Sequence, residues 1–319
     1  MLQIPLTLLS PPGQRARLTI LIFHRVLPRS DPLLPDVQDA KGFEAQMRWV
    51  RSWFRVLPLT VAVQALYAGT LPARALAITF DDGYADNEEI AAPILKRLGL
   101  TATFFVATGY LAGGHMWNDR IIEAIRDCRD EILDLTRVGF GAIQLASLAD
   151  RRRAIAALLA CIKHLEPAER SAAVDAVVEA ARVGAPAPLM MGPEQVRGLR
   201  ALGMDVGAHT VSHPILTRLG PDAAREEIGA SKEALQALLG ERIELFAYPN
   251  GVPGQDYDRQ HVEMVRRCGF AAAVSTAWGA ASKSSDRFQL PRFTPWDRTR
   301  LRYGARLLWN MRHTNYATV

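Results

Sequence analysis

One pattern of hydrophobic and polar positions recurs along the chain: an amphipathic stretch, a single glycine, and then a short apolar run. The amphipathic stretches have the spacing of helices, and the apolar runs are rich in β-forming residues. Glycine adopts the left-handed conformation that ends a helix at little cost, so each glycine is predicted to cap a helix. The repeats cover residues 90–107, 194–208, 223–247 and 261–276, with their glycines at Gly99, Gly203, Gly240 and Gly269.

Two further runs, 18–23 and 75–80, are almost entirely apolar. They are predicted to be strands buried on both faces, which is typical of parallel sheets. Strands that alternate with helices indicate an α/β fold whose parallel sheet is either open or closed into a barrel.

Residues 114–191 interrupt this alternation. They are rich in alanine and arginine and predict three helices, over 119–135, 148–165 and 168–183, with only a weak strand candidate between them. We therefore expect a helical insertion, 114–191, that covers one end of a barrel formed by 1–113 and 192–319. A small independent domain is the alternative interpretation.

Composition excludes several classes of protein. Of the 319 residues, 49% are hydrophobic and 22% are charged, which excludes a disordered or collagen-like chain. The net charge is +5, but no run of lysine and arginine is interleaved with stacking aromatics, so we expect no nucleic-acid partner. The three cysteines are far apart, which argues against a disulfide framework and against a thiolate metal site.

The two ends of the chain bear on its location. The first twenty residues contain prolines where a secretory signal needs an unbroken apolar run, so the sequence favours a cytoplasmic protein. Residues 298–312 combine five arginines with leucines and a tryptophan, and such a segment could rest on a lipid surface. A terminal helix docked on the barrel is the preferred interpretation, with peripheral membrane contact as the alternative.

Reactive side chains follow several of the predicted strands at the point where each strand ends. The carboxyl ends of parallel strands meet at one edge of the sheet, where active sites form, so we expect these side chains to lie together. The residues at these positions are His24, Asp81, Asp82, His209, His213, Tyr248 and Arg292.

The pair His209 and His213 has the i, i+4 spacing of a metal site on a helical turn. Two imidazoles with one carboxylate form a set that is typical of hydrolytic zinc sites, because it leaves a coordination position open. Of the adjacent carboxylates of Asp81 and Asp82, one would then be a metal ligand and the other a general base.

The segments Thr79-Phe80-Asp81-Asp82-Gly83 and His209-Thr210-Val211-Ser212-His213 resemble the first two signature motifs of the polysaccharide deacetylases, the NodB-homology fold of carbohydrate esterase family 4. Residues 246–251 are similar to the third motif of that family. The resemblance covers roughly residues 18–110 and 192–295, and it leaves the insertion and the tail outside.

The resemblance implies a role for each matching position. Asp82, His209 and His213 would bind a divalent metal, most often Zn²⁺, and Asp81 would be the general base. The backbone N–H of Tyr248 would bind the substrate oxyanion. The fold would be a distorted (β/α) barrel with fewer strands than the usual eight.

Two departures from the family pattern affect the catalytic set. Phe246 and Ala247 stand where the third motif has an arginine that orients the catalytic aspartate, and the Leu-x-His motif that supplies the general acid has no match after residue 213. A subset of the family that includes poly-N-acetylglucosamine deacetylases resembles a circular permutation, with this histidine on an N-terminal strand. His24 is therefore predicted to be the acid. Arg292 is predicted to replace the arginine, with Arg25 as the alternative.

Trp117 opens the insertion and is a candidate for stacking on a substrate sugar. Anchoring of the first insertion helix is the alternative role for this residue. The other tryptophans are expected to serve in packing; they are Trp49, Trp53, Trp278, Trp296 and Trp309.

The resulting hypothesis is a metal-dependent hydrolase that removes N-acetyl groups from a sugar of a polysaccharide or a lipid-linked glycan. One alternative is a catalytically silent glycan-binding or scaffold protein on the same fold. Another is an enzyme that keeps the metal site but cleaves a different bond, such as an O-acetyl esterase or an amidohydrolase.

Overall fold

The computed structural model describes residues 2–184, 186–293 and 295–319, apart from the side chain of Pro167. The chain divides into two compact units. The first comprises Met1–Arg29, Gln38–Ala112 and Met191–Val319, and the second comprises Ser30–Val37 and Gly113–Met190.

The regular elements of both units are numbered in chain order. The strands are β1 (Thr19–Phe23), β2 (Val26–Leu27), β3 (Gln38–Asp39), β4 (Arg55–Val56), β5 (Ala75–Phe80), β6 (Thr103–Val106), β7 (Ile132–Leu135), β8 (Gly141–Gln144), β9 (Asp205–Ala208), β10 (Leu245–Ala247) and β11 (Ala272–Val274). The α-helices are α1 (Gln3–Leu9), α2 (Ala40–Trp53), α3 (Leu59–Ala68), α4 (Ala92–Arg97), α5 (Trp117–Asp127), α6 (Leu148–Ile162), α7 (Pro167–Ala181), α8 (Pro193–Ala201), α9 (Pro221–Leu239), α10 (Arg259–Arg267) and α11 (Arg300–Asn310).

The first unit is built on a parallel sheet with the order β1-β5-β6-β9-β10-β11, and β4 also pairs with β5. The segment 290–293 connects the two ends of this sheet, because Leu290 bridges to Val274 of β11 and Phe293 bridges to Leu21 of β1, both in parallel. The predicted α/β fold, with its strands curled into a distorted barrel and surrounded by helices, is confirmed.

Both faces of the central strands are buried, because alternate residues face two different hydrophobic clusters. Leu21 and Ile78 belong to a cluster that also contains Phe43 and Met47 of α2. Ile20 and Ala77 belong to a second cluster that includes side chains of α3. This two-sided burial fixes the strand register, so the residues that follow each strand are held in place by the core.

The glycines that were predicted to end helices all have positive φ, from 66° to 83°. At Gly240, which follows α9, φ is 67° and the N–H donates to Gln236 O, which closes the last turn. The C-cap prediction is confirmed at Gly99, Gly203, Gly240 and Gly269.

The second unit consists of α5, α6, α7 and an antiparallel hairpin of β7 and β8 around its own hydrophobic core. The prediction of one helix over 119–135 is wrong beyond Asp127. Leu133 and Leu135 are buried while Ile132 and Asp134 are exposed, which is the alternation of a strand, and Gly139 turns the chain with φ 83°.

Residues 30–37 were predicted to belong to the barrel, but they are part of the second unit. Two contacts hold this segment there. Asp31 forms an ion pair with Arg126 (Nη2···Oδ2 2.7 Å), and Leu33 is buried in the core of that unit.

The C-terminal helix α11 docks on the first unit through Tyr303 and Leu307, which are fully buried, and it contacts α1. Within residues 2–184, 186–293 and 295–319, none of the helices combines the length and hydrophobicity that a bilayer-spanning segment needs.

Candidate metal centre and active site

The carboxyl ends of β5 and β9 bring together two histidines and one aspartate. His209 Nε2 and His213 Nε2 each lie 3.4 Å from Asp82 Oδ1, and the candidate ligand atoms are all within 4.8 Å of one another. Asp82 Oδ1 is buried, and no donor among the described residues forms a hydrogen bond with it. A buried carboxylate oxygen that faces two imidazole nitrogens fits a divalent cation, and this donor set is typical of hydrolytic zinc sites.

The orientation of His209 is fixed by the neighbouring strand. Its Nδ1 lies 2.8 Å from the carbonyl oxygen of Ala247, at the end of β10. Because a carbonyl only accepts hydrogen bonds, Nδ1 carries a proton, and Nε2 is the nitrogen that faces Asp82. This is how metal-ligating histidines are commonly positioned.

The segment between the two histidines is a loop, and the prediction that they lie on a helical turn is wrong. Thr210 has φ 64° and His213 has φ 55°, so two non-glycine residues adopt the left-handed conformation. Such residues cost about 1–3 kcal/mol each and persist only where the surroundings hold them.

Glu227 of α9 holds this loop. Its Oε2 accepts hydrogen bonds from the backbone N–H groups of Val211 (2.8 Å) and Ser212 (2.9 Å), and its Oε1 accepts one from Ser212 Oγ (2.6 Å). Glu227 was not predicted from the sequence. Its position on the helix that follows the loop was the only indication in the sequence. Many acidic residues on surface helices make no such contact, so this position alone does not identify Glu227.

Asp81, next to the candidate ligand Asp82, forms a buried bidentate ion pair with Arg292. The distance from Arg292 Nη1 to Asp81 Oδ1 is 2.6 Å, and the distance from Arg292 Nη2 to Asp81 Oδ2 is 2.7 Å. The Arg292 side chain is 0% exposed and the Asp81 side chain is 3% exposed. Arg292 Nε also donates to Ser275 O at 2.9 Å. The alternative candidate, Arg25, instead pairs with Asp86 at 2.8 Å.

The charges of the site set the protonation of the two aspartates. Burial by itself would raise the pKa of Asp81, but the Arg292 guanidinium and the His209 imidazole outweigh it and lower this pKa. Burial would likewise raise the pKa of Asp82, and the imidazoles of His209 and His213 hold it well below its usual range. Both carboxylates are therefore ionised at neutral pH.

The pKa values of the two histidines are shifted in opposite directions. Burial lowers the pKa of His213 to about 4, and the charge of Asp82 only partly compensates. Burial would also lower the pKa of His209, but Asp81 and Asp82 together raise it. His213 is thus neutral at pH 7, which is the form that binds a metal.

His24 is exposed at the end of β1, and its charge acts on the site by lowering the pKa of Asp81 and of Asp82. Its backbone is anchored, because Asn87 Nδ2 donates to His24 O at 2.8 Å. The structure therefore brings the predicted acid to the same edge of the sheet as the carboxylate pair.

The role predicted for Tyr248 as the donor to the substrate oxyanion is wrong. Its backbone N–H donates to Val274 O (3.2 Å) and extends the pairing of β10 with β11, so it is unavailable to a substrate oxyanion. Its side chain is fully buried, stacked on Tyr257 with ring centroids 3.9 Å apart, and its hydroxyl donates to Phe288 O at 3.1 Å.

Trp117 belongs to the second unit, where it is the first residue of α5. Its half-buried ring packs against the core of that unit, and the Arg170 guanidinium lies 5.6 Å from the ring centroid. The contact of Trp117 with a sugar stays a prediction.

Comparison with known proteins identifies the family. The family model "Polysaccharide deacetylase" matches residues 68–273. The chain belongs to the polysaccharide deacetylase family. The matched range contains Asp81, Asp82, His209 and His213, and it excludes His24 and Arg292, which lie on either side of it.

Individual relatives are distant. The Bacillus subtilis protein named "Putative polysaccharide deacetylase YxkH" is 22% identical over 279 residues, which is 87% of this chain and 71% of that protein. The Streptococcus pyogenes deacetylase PplD, solved in complex with acetate, superposes with a TM-score of 0.61 at 20% identity over 93% of this chain and 98% of that one. IcaB from Ammonifex degensii superposes with a TM-score of 0.57 at 19% identity, and the match covers 92% of this chain and 98% of that one. These structures share the fold with this polysaccharide deacetylase family member.

Proposed function

We propose that this protein is a metal-dependent hydrolase that removes N-acetyl groups from a sugar of a polysaccharide or a lipid-linked glycan. The observation that carries the proposal is the arrangement at the end of β5. Asp82 Oδ1 faces two imidazole nitrogens at 3.4 Å each, while the adjacent carboxylate of Asp81 is ionised and held by Arg292. Membership of the polysaccharide deacetylase family supports this assignment.

Asp82, His209 and His213 would hold the cation, for which Zn²⁺ is the best match to the donor set. When bound, a divalent cation polarises the acetyl carbonyl and lowers the pKa of water. Asp81 takes a proton from the attacking water, since its lowered pKa keeps it unprotonated at neutral pH. Arg292 fixes the direction of that carboxylate.

His24 gives a proton to the departing amine. It is the exposed imidazole at the end of β1, on the rim where the carboxylates lie, so it can reach a substrate that enters from solvent. Asn87 keeps its backbone in place through the hydrogen bond to His24 O. The products are acetate and a free amino sugar.

The decisive experiment measures acetate release from a panel of N-acetylhexosamine glycans, with the metal-free protein, with added Zn²⁺ and with chelator. We expect release only with the metal. Asp82→Ala should lose both zinc and activity, and Asp81→Asn should keep zinc and lose turnover. Asp222→Asn, an exposed position on α9, is the matched control.

The other outcomes discriminate between the rival functions. Full zinc binding without release from any acetylated glycan would indicate a silent glycan-binding protein. Release from O-acetylated but not from N-acetylated sugars would indicate an esterase. Turnover retained in Asp81→Asn would contradict its role as base.

We also propose peripheral membrane contact through α11 and the adjoining α1; a cytoplasmic location stays a prediction. Leu301 is 82% exposed on α11, and Ile4 and Leu8 are 72% and 77% exposed on α1. Arginines flank Leu301 in sequence, as is typical of surface-bound helices. Leu301→Gln should weaken co-sedimentation with anionic phospholipid vesicles, whereas Val61→Gln on α3 should not.

A further inference from the structure

Most of the large hydrophobic side chains that the first unit leaves exposed lie in its N-terminal segment, its C-terminal segment and one loop. Of the eight such residues that the structure describes in this unit, six belong to these parts of the chain, and each of the six is at least 47% exposed. Three of them are tryptophans that were predicted to serve in packing. The six residues, which we call the apolar face, are Ile4, Leu8, Trp278, Trp296, Leu301 and Trp309.

Two helices carry four residues of the apolar face on their exposed sides. Ile4 and Leu8 are one turn apart on α1, on the opposite side from the buried Leu6. Leu301 and Trp309 are about two turns apart on α11, and Leu307, on the other side of this helix, is fully buried. Because α1 contacts α11, the exposed sides of the two helices adjoin.

The tryptophans extend this surface beyond the helices. The ring centroid of Trp278 lies 6.4 Å from that of Trp309 and 5.4 Å from that of Trp296. The Arg306 guanidinium lies 3.5 Å from the ring centroid of Trp296, and Asp297 holds that guanidinium through an ion pair. The apolar face is therefore continuous from α1 to the tryptophans, and its aromatic part is fixed from within the protein.

Backbone hydrogen bonds attach the apolar face to the amino ends of the strands. Three residues after Trp278, Ala281 exchanges two backbone hydrogen bonds with Leu18, which directly precedes β1 (2.8 and 2.9 Å). Directly after α1, Ser10 O accepts a hydrogen bond from the N–H of Arg74, which directly precedes β5 (3.2 Å). The candidate metal centre follows the carboxyl end of β5, six residues further along the strand, or about 20 Å at the usual rise per residue. The face and the metal centre thus lie at opposite ends of the strands.

The surroundings of the apolar face are strongly basic. Residues 2–17 and 295–319 contain seven arginines and a single acidic side chain, Asp297, which is already paired with Arg306. Arg15, Arg302 and Arg312 are exposed. Two copies of the chain would repel each other through this charge, whereas the headgroups of an anionic bilayer would attract it. The charge therefore favours a lipid surface over a second copy of the chain.

We propose that the apolar face binds an anionic membrane surface, with its tryptophans among the lipid headgroups and the catalytic rim turned away from the bilayer. This inference deepens the membrane contact proposed above, because it adds the three tryptophans and fixes the orientation of the barrel. Indole rings favour the headgroup region, and the neighbouring arginines bind the lipid phosphates. Since it also rests on the proposed hydrolysis, the sugar that is deacetylated is one that extends at least about 20 Å from the bilayer surface.

The first test is co-sedimentation with vesicles of phosphatidylcholine alone and of equimolar phosphatidylcholine and phosphatidylglycerol. The protein should bind the mixed vesicles much more tightly, and high salt should weaken this binding. Trp296→Ser and Trp309→Ser should each weaken it about three- to tenfold, and Arg302→Gln about fivefold. The controls Val61→Gln, at a matched exposure of 48%, and Arg197→Gln on α8 should have no effect.

Tryptophan fluorescence shows whether the indoles enter the bilayer. Brominated phosphatidylcholine in the mixed vesicles quenches indoles that contact lipid, so it should quench the bound wild type. The triple variant Trp278→Tyr/Trp296→Tyr/Trp309→Tyr keeps aromatic rings at the three positions. It should still bind the vesicles but be quenched far less, since the remaining tryptophans lie elsewhere. This variant also decides the matter where thermal unfolding shows that a serine variant is misfolded.

Several results would overturn the inference. Equal binding to both kinds of vesicle would do so, as would a bound wild type that is not quenched. A dimer that the serine variants dissociate would assign the face to a second copy of the chain. Loss of acetate release from a soluble glycan at saturating vesicles would contradict the orientation. Failure of the proposed hydrolysis is distinguishable, because tryptophan-dependent vesicle binding without acetate release leaves the face standing. Acetate release without vesicle binding removes the face alone.

Discussion

Replacement of Arg292 by methionine should destabilise the folded protein because it leaves the Asp81 carboxylate buried without its partner. The wild-type guanidinium makes two contacts to this carboxylate, at 2.6 and 2.7 Å, with both side chains almost completely buried. Removal of one partner of a buried ion pair costs about 3–5 kcal/mol. Hydrogen bonds to charged groups contribute about 1.5–3 kcal/mol each, which agrees with that range for a bidentate pair.

The assay is urea unfolding of metal-free protein at pH 7, in which the free energy of unfolding of Arg292→Met should fall by about 3–5 kcal/mol. The double variant Asp81→Asn/Arg292→Met should recover part of the loss, since it no longer buries an unpaired charge. Arg266→Met is the control. Its pair with Glu263 is half-exposed, and such pairs contribute at most about 1 kcal/mol.

The pH dependence provides an independent check. The folded-state pKa of Asp81 is lowered, so the ion pair contributes stability that is present above the unfolded pKa and is lost as the pH falls through the folded pKa. The difference between wild type and Arg292→Met should therefore be largest at neutral pH and shrink in acid. A loss no greater than that of Arg266→Met, with a parallel pH dependence, would refute the reasoning.

Three further variants test other parts of the site and core. Glu227→Gln should lower zinc affinity about 10- to 100-fold in a competition titration, because an amide group cannot accept all the hydrogen bonds that hold the 209–213 loop. His24→Gln should keep zinc but reduce acetate release about 10²- to 10⁴-fold, and unchanged release would exclude it as the acid. Gly207→Ala would place its Cβ 2.5 Å from the Phe105 ring and should cost about 1–3 kcal/mol in urea unfolding. Gly229→Ala, where the nearest atom is 4.0 Å away, should be neutral or stabilising.

Much of the site could be predicted because strand direction alone collects residues at one rim. Arg292 shows this clearly: nothing in its local sequence marks it, yet its position after a predicted strand places it opposite Asp81. Glu227 shows the limit. It contacts a loop 15 residues earlier only because α9 packs beside β9, and a single sequence does not specify which helical turn faces that loop.

The error at Tyr248 has a different cause. Motif resemblance identifies a loop, but the choice among its amide groups depends on where strand pairing stops. Here the pairing of β10 with β11 continues for one residue beyond Ala247. The Tyr248 N–H therefore donates to Val274 O and not to a substrate oxyanion, as had been predicted. The first strand of the hairpin, β7, was missed for a related reason, since leucines two residues apart fit a short strand and an irregular helix equally.

The backbone at Asp82 explains how a single strand end supplies two carboxylates with different roles. Successive residues of a strand point to opposite faces, so regular pairing would separate the side chains of Asp81 and Asp82. Asp82 instead has φ 77°, and this break in the alternation brings Asp81 Oδ2 within 3.9 Å and Asp82 Oδ1 within 3.4 Å of His209 Nε2. Aspartate tolerates the left-handed conformation better than most residues. Because of this strained backbone, the Asp82 carboxylate faces the two imidazoles while the Asp81 carboxylate pairs with Arg292.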